Sequence, residues 1–106
     1  MPINRLKRKI TKEVLWLYIL RLLKDKLYTA NELRTNINRK FKFESTTVTS
    51  YVVLFKLEND GYVKSEWIKL KSRSPKKYYK ITSKGKELFM QGKFFLRDIY
   101  DKLFKK

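Results

Sequence analysis

The chain has 106 residues with no cysteine and no histidine, and it sets 27 Lys and Arg against 10 Asp and Glu for a formal charge of +17. That length suits one domain with one ordinary core, and the lack of cysteine excludes disulfides and thiolate-bound metals, which is compatible with a reducing cytoplasm. So one-sided a charge destabilises a compact chain by self-repulsion and points to a polyanionic partner: nucleic acid first, an anionic membrane surface second. A Lys-rich solvated surface of the kind found in heat-adapted proteins is the plain alternative.

Residues 1–10 form a basic N-terminal arm holding Arg5, Lys7, Arg8 and Lys9, expected to be mobile when unbound. It has no apolar stretch ahead of a small-residue cleavage site, so no secretory signal is expected. The longest apolar run, Val14–Leu20, is far short of the ~20 residues of a membrane helix, and no membrane association is expected. The first helix is expected to open at Thr11, a capping residue, with Glu13 in its first turn. Its run Val14–Leu20 is apolar on every face, so it must be buried on more than one side, which hints at a packing surface beyond its own domain.

Thr29-Ala30-Asn31-Glu32 fits a capping box opening the second helix. Leu33, Ile37 and Phe41 follow Ala30 at helical spacing, with Arg34, Asn38 and Lys42 on other faces. A third helix begins near Ser45-Thr46-Thr47 and stops at Gly61. Val48, Tyr51, Leu54 and Leu57 recur every three residues and are expected to face inward. A strand over Tyr62–Leu70 follows, then a turn Lys71–Lys76 in which Pro75 interrupts pairing, then a strand over Lys77–Thr82. Thr82 or Ser83 caps a last helix running to about Phe104. The order predicts a mainly α (α+β) chain, a winged helix-turn-helix over 11–82 with a C-terminal dimerisation helix over 83–106. A four-helix bundle with an incidental hairpin is the alternative.

In helix-turn-helix proteins the recognition helix touches base edges mainly with its first residues. The candidates here are Ser45, Thr46, Thr47, Thr49 and Ser50, joined by Val52, Val53 and Lys56. Hydroxyls suit phosphate oxygens and base edges but specify bases weakly, and exposed valines suit thymine methyls. The same hydroxyls also serve as helix caps. Lys71, Arg73, Lys76 and Lys77, with Lys69, concentrate charge on the turn, where they could reach phosphates or a minor groove. Arg5, Lys7, Arg8 and Arg34 are candidate backbone contacts.

Trp16 in the first helix and Leu88, Gly92, Phe95, Leu96, Ile99 and Leu103 in the last, the latter six at spacings of three and four, make a candidate homodimer interface, with folding back onto the same chain as the competing reading. Gly92 weakens a helix by about 1 kcal/mol unless it permits a close approach. An enzyme is not expected: there is no histidine, cysteine or glycine-rich phosphate loop, and the carboxylates are scattered, with Asp98 and Asp101 explained by ion pairs along the helix. No cofactor and no metal are expected.

The segment Tyr51-Val52-Val53-Leu54-Phe55-Lys56-Leu57-Glu58-Asn59-Asp60-Gly61-Tyr62-Val63, then Lys64-Ser65-Glu66-Trp67, then Pro75-Lys76-Lys77-Tyr78-Tyr79-Lys80-Ile81-Thr82 with Gly85, resembles the PadR family of winged-helix regulators. The resemblance runs from about Glu13 to Leu103 and is most specific in Lys77–Thr82; the short C-terminal helix is similar to the compact branch of that family. It implies a dimeric DNA-binding transcriptional regulator, mostly a repressor, with a palindromic operator and dimerisation through the first and last helices. It also implies, for some members, a flat aromatic effector between subunits, which Trp16, Phe89 and Phe95 would line if they are not plain core. Two departures stand out: Leu27–Asn31 replaces a His-Gly-Tyr-like helix start, and Phe55 stands where a charged residue is usual. The reading favoured is a sequence-specific regulator binding double-stranded DNA as a homodimer in the cytoplasm, on the nucleoid. A non-specific architectural DNA-coating protein and a protein-interaction winged helix are the alternatives.

Overall fold

The computed structural model describes residues 1–71 and 73–105; Ser72, in the expected turn, and Lys106 lie outside the described residues. The basic arm is helical, not irregular. Helix α1 spans Pro2–Lys9, where Pro2 presets the backbone of the first turn and lacks only an N–H that a helix start leaves unpaired. Lys7, Arg8 and Lys9 sit at its C-terminal end, where positive charge offsets the helix dipole. Thr11 does not open the next helix as expected. Its hydroxyl donates to the Lys7 carbonyl at 2.6 Å, so it closes α1, and a short 3-10 turn over Lys12–Val14 leads into helix α2, Leu15–Leu23.

Helix α2 is the centre of the molecule, with Leu15, Ile19, Leu20, Leu22 and Leu23 buried. The two-sided burial that its sequence demands is met inside one chain. The Tyr18 ring lies edge-on to both Phe41 and Phe43, each 4.9 Å away, and its hydroxyl donates to the Ile10 carbonyl. That burial raises the phenol above its ordinary pKa. Trp16 and Leu17 meet the last helix at Gly92.

Strand β1 (Tyr28–Thr29) leads directly into helix α3, Ala30–Phe41. The capping box forms as expected: Thr29 accepts from the Glu32 N–H at 3.1 Å, and the Glu32 carboxylate accepts from the Thr29 N–H at 2.9 Å. Ala30, Leu33 and Ile37 face the core, and Lys42 ends the helix in a left-handed conformation, φ 64°.

Helix α4 spans Thr47–Asn59, and the Thr46 hydroxyl accepts from the Thr49 N–H at 3.0 Å to cap it. Its end is a Schellman motif: the Gly61 N–H bonds the Glu58 carbonyl, the Tyr62 N–H bonds the Leu57 carbonyl, and Gly61 has φ 83°. The inward set differs from the expectation. Ser50, Leu54 and Leu57 are buried, whereas Val48 is 73% and Tyr51 52% exposed. A strict three-residue repeat drifts about 60° per step around a helix of 3.6 residues per turn, so Val48 ends opposite Leu57.

Strands β2 (Val63–Ile68) and β3 (Lys76–Ile81) form an antiparallel hairpin running from Val63↔Ile81 to Ile68↔Lys76. β1 pairs with the other edge of β3, giving the order β1-β3-β2. Helix α5, Ser83–Phe104, is capped by Thr82, which accepts from the Gly85 N–H at 3.1 Å and donates to the Gly61 carbonyl at 2.6 Å. Three packed helices followed by a protruding hairpin make this a winged helix-turn-helix.

Two glycines of α5 set how closely it docks. A Cβ on Gly85 would fall 2.1 Å from the Tyr62 carbonyl oxygen, which is backbone and cannot retreat. One on Gly92 would meet the Leu17 Cδ1 at 3.0 Å, the tip of a flexible side chain. We expect Gly85→Ala to lower stability by about 3 kcal/mol. Gly92→Ala should stay within about 1 kcal/mol of the wild type, because Leu17 can turn aside and alanine favours the helix. Urea midpoints followed by circular dichroism separate the two, and equal losses would contradict this account. The same measurement on Thr29→Ala should show a loss of about 1 kcal/mol from the capping box.

Candidate nucleic-acid interface

The N-terminus of α3, the Tyr51 side of α4 and the β2–β3 hairpin meet on one face of the molecule. Between them runs a groove of about 470 Å³ whose lining includes Asn31, Tyr51, Trp67, Lys76 and Lys77. Glu32 also borders it, with its carboxylate turned to the cap of α3. Burial raises the pKa of the Tyr79 phenol at its floor, with the Lys77 ammonium pulling the other way.

The α4 residues singled out from sequence do not all reach this face. Ser50 is 5% exposed, and its hydroxyl pairs with that of half-buried Ser45 at 3.0 Å. This pair holds the turn between α3 and α4 together, and Ser50 is thereby removed from the surface. Val53 is corrected too: it is half-buried against the core beside Leu54 and Leu57. Thr46, Thr47, Thr49, Val52 and Lys56 are exposed, although Thr46 spends its hydroxyl on Thr49, bonding both its N–H and its side chain.

Beside Val52, which the sequence already placed on the outer face, two apolar residues point directly outward that it did not: Val48, expected inward, and Phe55. Val48, Val52 and Phe55 stand at i, i+4 and i+7 on the side opposite Ser50, Leu54 and Leu57. The signal was present: Ser50, Leu54 and Leu57 follow the four-then-three spacing of a buried stripe, and its complement is the exposed one.

On the hairpin, Lys69, Lys71, Arg73 and Lys76 are exposed. Residues 67–77 hold five basic side chains and no acidic one. Lys77 is half-buried, 3.9 Å from the Glu58 carboxylate and 5.6 Å above the Tyr79 ring. Glu58 also accepts from the Ser65 hydroxyl, so this one carboxylate ties α4 to the base of the hairpin; among the described residues Lys69, Lys71, Arg73 and Lys76 make no ion pair. Arg34 on α3 is half-buried and donates to the Asn31 side chain at 2.8 Å. Arg5, Lys7 and Arg8 are carried by α1, packed beside residues 12–14.

Of the expected dimer residues, Trp16, Leu88 and Gly92 are engaged within the chain, where α5 crosses α2. The distal half of α5 is different. Phe95 is 65% and Leu103 68% exposed, and Leu96 and Ile99 are also exposed, together with Phe94, Tyr100 and Phe104, which the sequence reading omitted. Asp98 pairs with Lys102 and Asp101 with Lys105, each at i, i+4. Phe89 lies beneath the Lys24 ammonium, 4.8 Å away. Among the described residues, no group of three or more acidic side chains is placed to hold a metal ion, and no helix is long and apolar enough to cross a membrane.

No curated protein matches the chain. Solved structures share its fold. A transcriptional regulator from Clostridium thermocellum aligns with TM-score 0.76 at 24% identity, covering 92% of this chain and 96% of that one. A PadR-like transcription factor from Bacteroides fragilis aligns with TM-score 0.77 at 23% identity, covering 93% and 95%. PadR of Bacillus subtilis, solved in complex with operator DNA, aligns with TM-score 0.68 at 18% identity, covering 84% of this chain and 59% of that one. The model of the PadR-like transcriptional regulator family matches residues 19–91, which take in α3, α4, the hairpin and the core-packed half of α5. With that match spanning more than half of its length, the chain belongs to the PadR-like family of transcriptional regulators.

Proposed function

We propose that this chain is a homodimeric, sequence-dependent regulator that binds double-stranded DNA and represses transcription by occupying its site. The observation that carries the reading is the α4–hairpin face: a protruding helix beside a hairpin whose residues 67–77 hold five basic side chains and no acidic one. Lys71, Arg73 and Lys76 on the hairpin, with Lys77 at its base and Arg34 on α3, would contact phosphates and set register. Thr47, Thr49, Val52 and Lys56 would meet base edges, and Arg5, Lys7 and Arg8 on α1 would add backbone contacts. Residues 11–82 thus form the DNA-binding unit and 83–106 the dimerising one. The likeness to a regulator solved on its operator supports the DNA-binding role. Such a protein would work in the cytoplasm, on the nucleoid.

The uncovered apolar half of α5 supports the dimer, because a solvent-exposed row of aromatic and aliphatic side chains on a long helix marks an interaction site. Two copies joined there would present two recognition helices to two half-sites. A flat aromatic effector at such a junction would meet the exposed Phe95, whereas Trp16 and Phe89 already pack against the core of the single chain. The few hydroxyls left exposed on α4 also suit an architectural protein that coats DNA.

If a dimer neutralises about eight phosphates, log K against log salt should slope near −7, and a slope shallower than about −2 would rule out DNA as the physiological partner. Competition between a duplex selected by the protein and a random duplex decides between the two DNA readings, equal affinity pointing to the coat. Leu96→Asp with Ile99→Asp should convert a dimer into a folded monomer in sedimentation velocity, because both residues are exposed in the single chain. A wild-type chain that sediments as a monomer at micromolar concentration would overturn the dimer.

A further inference from the structure

The outward face of α4 has a chemistry that narrows which DNA it would read. Val48 is 73%, Val52 50% and Phe55 70% exposed, and the three form a continuous apolar strip along the first three turns. No side chain on that strip can donate to or accept from a base edge. Around it stand cations: Lys56 on the same helix, and Lys76 with Lys77 across the groove that Tyr51 and Trp67 border. Thr47 and Thr49 flank the first turn with hydroxyls.

A partner complementary to this surface must offer an apolar floor between two anionic rims. The major groove of B-DNA has that form where thymines project their C5-methyl groups between the phosphate strands. A guanine- or cytosine-lined floor would instead set polar atoms against valine and phenylalanine, leaving them without partners.

Resting on the DNA-binding reading above, we propose that α4 selects A·T-rich sites by packing Val48, Val52 and Phe55 against thymine methyl groups. Specificity would then come from shape and apolar contact in the major groove, with the hairpin lysines supplying affinity that does not depend on sequence. This separates the chain from a minor-groove A·T reader, which senses base edges that the methyl group never touches.

The test uses the full chain with alternating dA-dT and dA-dU duplexes of equal length, which share phosphates and minor-groove atoms and differ in the thymine methyl. Burying one methyl is worth a factor of about four, so losing two per half-site should weaken binding to the dA-dU duplex by about fifteenfold per half-site, and by about two hundredfold for a dimer on two half-sites, at equal salt. In Val48→Ala with Val52→Ala the ratio of the two affinities should fall towards one. Both positions are exposed, and circular dichroism with a urea midpoint verifies that the variant is folded. Equal wild-type affinity for the two duplexes, with a steep salt dependence retained, would overturn the methyl reading and leave DNA binding standing. A wild-type ratio that the double variant keeps would also overturn it. Failure to bind either duplex at low salt would remove both proposals together.

Discussion

From Leu15 to Leu20 the only polar side-chain groups on α2 are the Trp16 N–H and the Tyr18 hydroxyl, and water has to be kept from every side of that helix. The rest of the architecture is arranged around this requirement. α3, α4, β3 and α5 all pack on α2, and Phe41 and Phe43 close over Tyr18. Because α2 takes one face from each neighbour, every neighbour has a second face left over. For α3 and α4 that face looks outward to solvent, with Asn31 and Tyr51 on the edge of the groove, and for the distal half of α5 it has no cover in the single chain.

The orientation of α4 is therefore set from behind. Leu54 and Leu57 lock it onto the core, the Ser45–Ser50 pair fixes its start, and the Schellman turn at Gly61 fixes its end. Gly85 lets α5 press against the Tyr62 carbonyl while Thr82 bonds the Gly61 carbonyl, so the end of α4, both strands and the start of α5 converge within a few residues. Glu58 adds a link from α4 to the hairpin through Ser65 and Lys77. A recognition surface assembled from separate elements needs this kind of rigid backing, because side chains on its outer face contribute nothing to holding it in place.

Charge follows the same division. The exposed ion pairs on α1, α2 and α5 are local i, i+4 contacts and stabilise the fold only slightly. Among the described residues, the hairpin's cations make no ion pair apart from Lys77. A net charge of +17 works against a compact chain, and that repulsion would be relieved by counter-charge held close to the hairpin and α4.

The succession of core helices, hairpin and last helix, the capping box at Thr29, the left-handed stop at Gly61, a cap at Thr82 or Ser83 and the cationic turn were legible in the sequence, because each depends on residues within a few positions of one another. The family resemblance in Tyr51–Val63 and Lys77–Thr82 was legible for the same reason. Tertiary structure alone decided which distant segments met. It paired Tyr28 and Thr29 with β3, a two-residue strand too short to leave a pattern, whereas the helix that replaces the mobile arm expected over residues 1–10 buries no side chain and rests on local signals, Pro2 at its start and the Thr11 hydroxyl at its end. Tertiary structure realised the burial of Ser50 and the exposure of Val48 that the four-then-three spacing of Ser50, Leu54 and Leu57 already carried, and that a strict three-residue repeat misses by a few tenths of a residue per turn. It also satisfied Trp16 within the chain through Gly92, an approach between helices more than seventy residues apart that no local spacing encodes.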